Sequence, residues 1–457
     1  MVASQKGQKE CVKLLLDRGA EVNIQKKDGW TALMLASQKG QVDCVKMLLD
    51  RGAEINMQEE DGWTALMVAS EQGLVECVSM LLDRGAEVNM QKKDGGTALM
   101  VASKIGQVKC VKMLLDLGAE VNMQKKDGWT ALMVASQQGQ VECVSMLLDR
   151  GAEVNMQDVD GWTALMVASQ KGQVECVTML MDQGAEINMQ KKNGWTALML
   201  ASQKGQVAGV TILLDRGAKI NLQKKDGWAA LMVASQEGQM ECVKRLVDRG
   251  AEVNMQDVDG WTAMMVASQK GQVECVMMLL DQGAKINLQK KDGWTALMVA
   301  SQKGQVEGVT MLLDLGAEIN MQKKDGWTAL MVASQKGQVE CVTKLLDRGA
   351  EINLQKKDGW TALMVASQTG QVECVTTLLD RGAEINMQKK VTGVIIHCVD
   401  AMQHVPQSTV VDDDVCTGTL FRAVRVWVPV NVRTGSIVDY WAGAGAAPPF
   451  GGRWPDH

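Results

Sequence analysis

Asp325-Gly326-Trp327-Thr328-Ala329-Leu330-Met331-Val332-Ala333-Ser334-Gln335-Lys336-Gly337-Gln338-Val339-Glu340-Cys341-Val342-Thr343-Lys344-Leu345-Leu346-Asp347-Arg348-Gly349-Ala350-Glu351-Ile352-Asn353-Leu354-Gln355-Lys356-Lys357 is the stretch that decides the fold. Asp325-Gly326 is a turn pair that supplies a positive-φ position. Thr328 stands where a helix N-cap belongs, its hydroxyl placed to accept from a free first-turn N–H. A short helix follows, with Leu330, Met331 and Ala333 as its apolar surface, and Gly337 stops it. A second helix carries Val339, Val342, Leu345 and Leu346 along one face, and Gly349 just beyond it reads as a left-handed C-terminal cap. Ala350 to Lys357 is an extended polar connection to the next Asp-Gly turn.

The same unit recurs along the chain. The turn glycine falls at Gly29, Gly62, Gly95, Gly128, Gly161, Gly194, Gly227, Gly260, Gly293, Gly326 and Gly359, always 33 residues apart. Residues 28–390 are therefore eleven full units, and residues 1–27 are the latter part of one more, because Met1-Val2-Ala3-Ser4 matches Met67-Val68-Ala69-Ser70. Neither short helix can bury its apolar face alone. Stacking neighbours closes the core, so the pattern predicts an all-α solenoid, one elongated domain with near-neighbour contacts.

A unit of the form D-G-x-T-x-L-x-x-A-x-x-x-G-x-x-x-x-V-x-x-L-L-x-x-G-A-x-x-N resembles the ankyrin repeat, and the resemblance covers residues 1–390. It implies stacked helix-turn-helix units with hairpin-like loops, and a concave face of hairpins and first helices that contacts partners. The family's Thr-Pro-Leu-His is Thr328-Ala329-Leu330-Met331 here, so the proline helix start and the histidine network are missing. The resemblance also places Asn56, Asn89 and Asn122 at a position that asparaginyl hydroxylases modify. Read from the residues, each is a polar side chain that bonds loop backbone.

Composition narrows the function. Every His, Pro, Phe and Tyr of the 457 residues lies beyond position 390, which excludes histidine-based catalysis and His-liganded metal sites from the repeats. No nucleophile–base pair, phosphate loop or zinc spacing occurs, so we expect a non-enzymatic chain with no cofactor and no metal. Ten of the 12 cysteines share one repeat position: Cys11, Cys44, Cys77, Cys110, Cys143, Cys176, Cys242, Cys275, Cys341 and Cys374. One thiol per unit, with its neighbours about 10 Å away, is beyond disulfide reach. These are small core residues, and a reducing compartment follows. No signal-peptide core and no run of about 18 apolar residues occurs, so the expected location is cytosolic or nuclear, with no membrane.

The candidate site is a row of tryptophans directly after the turn glycine: Trp30, Trp63, Trp129, Trp162, Trp195, Trp228, Trp261, Trp294, Trp327 and Trp360, with Gly96 as the exception. Lysines at the end of the first helix, Lys39, Lys171, Lys270, Lys303 and Lys336, complete it, beside turn residues such as Lys356 and Lys357. Trp is the residue most enriched at interaction hot spots, but it could equally cover the loop base and pack on a neighbouring lysine stem. Both readings stay open at this point.

A Trp–Lys ladder also suits single-stranded nucleic acid. The Asp after each lysine pair and the net charge of −6 count against it. The expected partners are proteins or peptides, met by a scaffold. The alternative is a regulatory or targeting segment of a larger enzyme, channel or receptor. Residues 391–457 share nothing with the repeats. They read as a small partner domain or, the favoured reading, as disordered sequence foreign to the array, with the chain part of a longer one; Val424–Val432 is strand-like, Gly443–Pro449 is flexible coil, and Asp412–Asp414 with two distant His is too loose for a metal site.

Overall fold

In the computed structural model the described residues are 1–387, together with the backbone of 389–391 and 394–396. They form 24 helices in pairs, one pair per unit. The partial first unit contributes Val2–Gln5 and Lys9–Asp17. In the representative unit the first helix is Ala329–Gln335 and the second is Val339–Asp347. The strand-like stretch, the acidic triplet and the coil of the tail all lie outside the described residues.

The first helix begins as the sequence predicts. Thr328 has extended backbone, and its hydroxyl accepts from the Met331 N–H at 3.3 Å, which satisfies one of the orphan donors of the first turn. Ala329 to Ser334 are all buried, because first helices pack on one another along the stack and face their own second helices as well. A helix surrounded in this way needs small and apolar residues on nearly every face. The second helix is one-sided, with Cys341, Val342 and Leu345 buried. Val339 and Leu346, expected on that face, are only half-buried and flank it. Cys341 takes the central place because a 3.6-residue turn brings it into line with Leu345.

Gly337 and Gly349 adopt positive φ, as does the turn glycine Gly326 at +92°. Gly326 is constrained twice. A Cβ there would lie 2.7 Å from the Cα of Lys356 in the next hairpin, so only glycine lets the hairpins approach this closely. The connection from 350 to 357 is less extended than expected, with a turn at Ile352–Asn353 closed by Leu354 N–H donating to Glu351 O at 3.3 Å.

Neighbouring units are joined by hydrogen bonds that repeat with the sequence. Lys357 N–H donates to Asp325 O at 3.1 Å, linking two hairpins through their backbones. Each loop asparagine accepts from the backbone of the next unit: Asn56 from Glu87 N–H, Asn89 from Glu120 N–H and Asn122 from Glu153 N–H, all at 2.9 Å. The asparagines therefore bond loop backbone, as their chemistry predicts, and they do so across units. After the last helix, Lys389–Val391 pairs antiparallel with Val394–Ile396, and this small hairpin straddles residue 390, where the periodicity stops.

Candidate functional site

The hairpin tips carry the tryptophans. Each ring is half-buried and packs on the core. What it covers is visible where it is missing. Val167, five residues after Trp162, is 2% exposed, whereas Val134, on the first helix next to the Gly96 unit, rises to 9%, and Val101 is partly exposed. Each indole thus shields first-helix side chains from water with one face and turns the other toward the next unit.

That face meets a lysine from the following unit. Lys92 Nζ lies 4.3 Å from the centroid of Trp63, Lys191 3.7 Å from Trp162, Lys290 4.3 Å from Trp261, Lys323 4.7 Å from Trp294 and Lys356 5.4 Å from Trp327. Lys224 sits between two rings, 5.4 Å from Trp195 and 5.2 Å from Trp228. These are cation–π distances. Every stacked lysine is the first of its Lys-Lys pair; the second, such as Lys357, is exposed. Partial burial lowers the Lys191 pKa, with Asp160 and Asp158 opposing the shift.

Where the stacked position is acidic, its role changes. Asp257 accepts from Asp259 N–H at 2.9 Å and Trp261 N–H at 2.7 Å, so it organises its own turn. Its second oxygen accepts from the Trp228 indole N–H at 2.9 Å. Asp158 holds Asp160 N–H and Trp162 N–H in the same manner. The acidic variants replace a cation on the ring face with a carboxylate that fastens the turn.

Lys39, Lys171, Lys270, Lys303 and Lys336 are exposed at the first-helix ends. None of them is a stacking lysine, so the structure places two distinct lysine rows on this side of the array. Lys204 stands in the same helix-end row and escaped the sequence reading, although its spacing from Lys171 is 33 residues. A glutamine row was missed as well. Gln289 Nε2 donates to Gly293 O at 2.9 Å and to Gln322 O at 3.1 Å, tying its own turn to the next unit, and Gln256 does the same toward Gly260 and Gln289.

The thiols lie away from this face, on the second helices. Burial, reinforced by the adjacent glutamate, pushes Cys77, Cys143, Cys176, Cys242, Cys275, Cys341 and Cys374 up to about 11. Near neutral pH they are therefore protonated and inert. Cys11 is exposed. Among the described residues no group of His, Cys, Asp or Glu is arranged to hold a metal ion, and no helix is long and apolar enough to cross a membrane.

Paired helices stacked in register, with hairpin tips joined edge to edge, define a helical-repeat protein. The sequence matches the family model described as ankyrin repeats (3 copies) over residues 1–92, 84–158, 152–224, 231–323 and 315–389. The chain belongs to the ankyrin-repeat family, whose repeats are protein–protein interaction modules and typically non-catalytic. No curated protein sequence matches it.

Proposed function

We propose that this chain is a non-enzymatic scaffold that binds protein or peptide partners along a concave surface lined by tryptophan, lysine and glutamine. The observation that carries the reading is the interleaved Trp–Lys row, flanked by exposed helix-end lysines. Indoles packed on the core and braced by a stacked lysine are ready-made anchors, because little side-chain freedom remains to be lost on binding. The row also exceeds what folding requires, since the unit containing Gly96 keeps the same helices and turns without its ring. The closer packing of first helices than of second helices along the stack supports curvature toward the hairpin side. Near-uniform repeats suit a repetitive ligand, and the reduced, buried thiols suit the cytosol or nucleus.

Replacing Trp261, Trp294 and Trp327 together by Ala tests the proposal. Loss of most partner affinity, at upwards of about 2 kcal/mol per anchor, with helical circular dichroism retained, is the expected outcome. A folded triple variant that keeps full affinity for an isolated partner would remove the tryptophan face from consideration.

A further inference from the structure

The tryptophan series has one gap, and the gap is a shaped cleft. Between Trp63 and Trp129 the ring position is Gly96, and a cleft of about 200 Å³ opens there. Trp63 and Lys92 wall one side, Lys125 and Val134 the other, with Met100 and Val101 among its lining. Val101, part-exposed here, and Val134, at 9% less fully covered than Val167, are the ones an indole covers in the neighbouring units. Lys125 occupies the place from which Lys191, Lys290 and Lys323 stack on a ring, but it has no ring to meet. It pairs instead with Asp94 at 3.1 Å, and Asp94 also accepts from Gly96 N–H at 2.9 Å. Gly96 does not have positive φ, and a Cβ there would meet Asp94 Oδ1 and Lys92 Cε at 3.0 Å and Lys125 Cε at 3.6 Å, all on flexible side chains. The backbone therefore presents the same seat as in the other units, without its occupant.

The surrounding charge selects what could fill it. Lys92, Lys104 and Lys125 line the cleft against Glu71 and Asp94, and Asp94 is already committed to Lys125 and Gly96. Lys104 stands where most units have glutamine, and Ile105 beside it is 47% exposed. Rings at such sites are held by apolar contact on one face and a cation on the other.

We propose that the Gly96 cleft is a docking site for a single aromatic side chain, an indole fitting best, carried on an acidic peptide segment of a partner. The ring takes the position that tryptophan fills elsewhere, over Val101 and Val134 and under Lys125, while flanking carboxylates meet Lys104 and Lys92. This inference rests on the reading of the tryptophan face as the partner-binding side, and it gives that face one fixed register in an otherwise uniform array.

The test titrates the 457-residue chain with the peptide acetyl-Asp-Trp-Asp-amide, followed by methyl NMR at Val101 and Val134. Saturable shifts at both valines are expected, with acetyl-Asp-Ala-Asp-amide at least tenfold weaker. Gly96→Trp, which completes the row, should abolish the shifts while leaving helical circular dichroism unchanged. Lys104→Glu should weaken the acidic peptide several-fold. Trp294→Gly recreates the arrangement between Lys290 and Lys323 and should raise the stoichiometry from one to two, an independent reading should Gly96→Trp misfold. Absence of saturable binding to the native chain, or equal binding by a folded Gly96→Trp variant, would overturn the proposal. Binding at Gly96 alongside unimpaired partner affinity in the triple tryptophan variant would uphold the cleft and sink the wider face; the opposite pair of results would do the reverse.

Discussion

Along the hairpin and first-helix side, units are tied to one another by backbone hydrogen bonds and glutamine amides and, at six junctions among the described residues, by stacked Trp–Lys pairs. Along the second-helix side the ties are Arg–Asp pairs such as Arg249–Asp215 at 2.5 Å and Arg84–Asp50 at 2.8 Å, with both partners about half exposed. The two sides also tolerate variation differently. Leu117, Gln183, Gln282 and Leu315 stand where the arginine would be, and the second helices there keep their length. The glutamine of the hairpin row is present in every unit from Gln25 to Gln355. Partly shielded hydrogen bonds between closely packed backbones set the spacing of the units, whereas exposed ion pairs contribute little.

The sharpest way to break this comparison uses two glycines of similar φ. Gly326→Ala on the hairpin side combines a left-handed backbone with a Cβ driven against Lys356, and should cost about 2–4 kcal/mol in urea unfolding. Gly349→Ala, at +86° with nothing within 4 Å of its Cβ, should cost only about 1–2 kcal/mol. Equal losses would show that hairpin contact is not what limits the turn glycine.

Gln289→Ala removes two donated hydrogen bonds and leaves two carbonyls without that donor. A loss of about 1–2 kcal/mol is expected, with faster amide exchange confined to the units on either side of the 289–322 junction. Exchange that quickened uniformly along the array would argue against nearest-neighbour coupling.

Ala229 offers a gain. It sits at the cap position with the same extended backbone as the threonines, φ −106° and ψ 171°, but makes no side-chain cap bond. Ala229→Thr should stabilise the protein by about 1 kcal/mol, read as a higher urea midpoint; no change would mean that the first turn there is held by packing alone.

The smallest effect belongs to the second-helix side. Arg249→Ala should cost less than about 1 kcal/mol, a loss that shrinks further with added salt. A larger loss would place the outer row on an equal footing with the hairpins.

Much of the architecture was legible in the 33-residue period, because Thr328, Gly337 and Gly349 each do a local job that their chemistry announces. The contacts between units were harder to read. Lys356 stacks on Trp327, 29 residues earlier, while Lys357 does not, and nothing in a Lys-Lys pair distinguishes them until the hairpin fixes which side chain points along the row. Gln289 reads as an ordinary surface residue, and its bridging role exists only once two turns lie side by side. Cys341 was legible as a core residue, but its central place over Val339 required the helix to be phased against its neighbour. The Gly96 exception was visible as a missing Trp, and the cleft it leaves took the neighbouring rings to define.

Stacking by nearest neighbours alone also has a consequence under load. If two distant units are pulled apart, no contact spans the whole stack to share the tension, so units should peel away singly. Each detached unit releases 33 residues of chain, roughly 110 Å when drawn out, in place of a folded step of about 10 Å. Held between two beads, the array should lengthen in near-equal increments of roughly 100 Å, acting as a molecular spring.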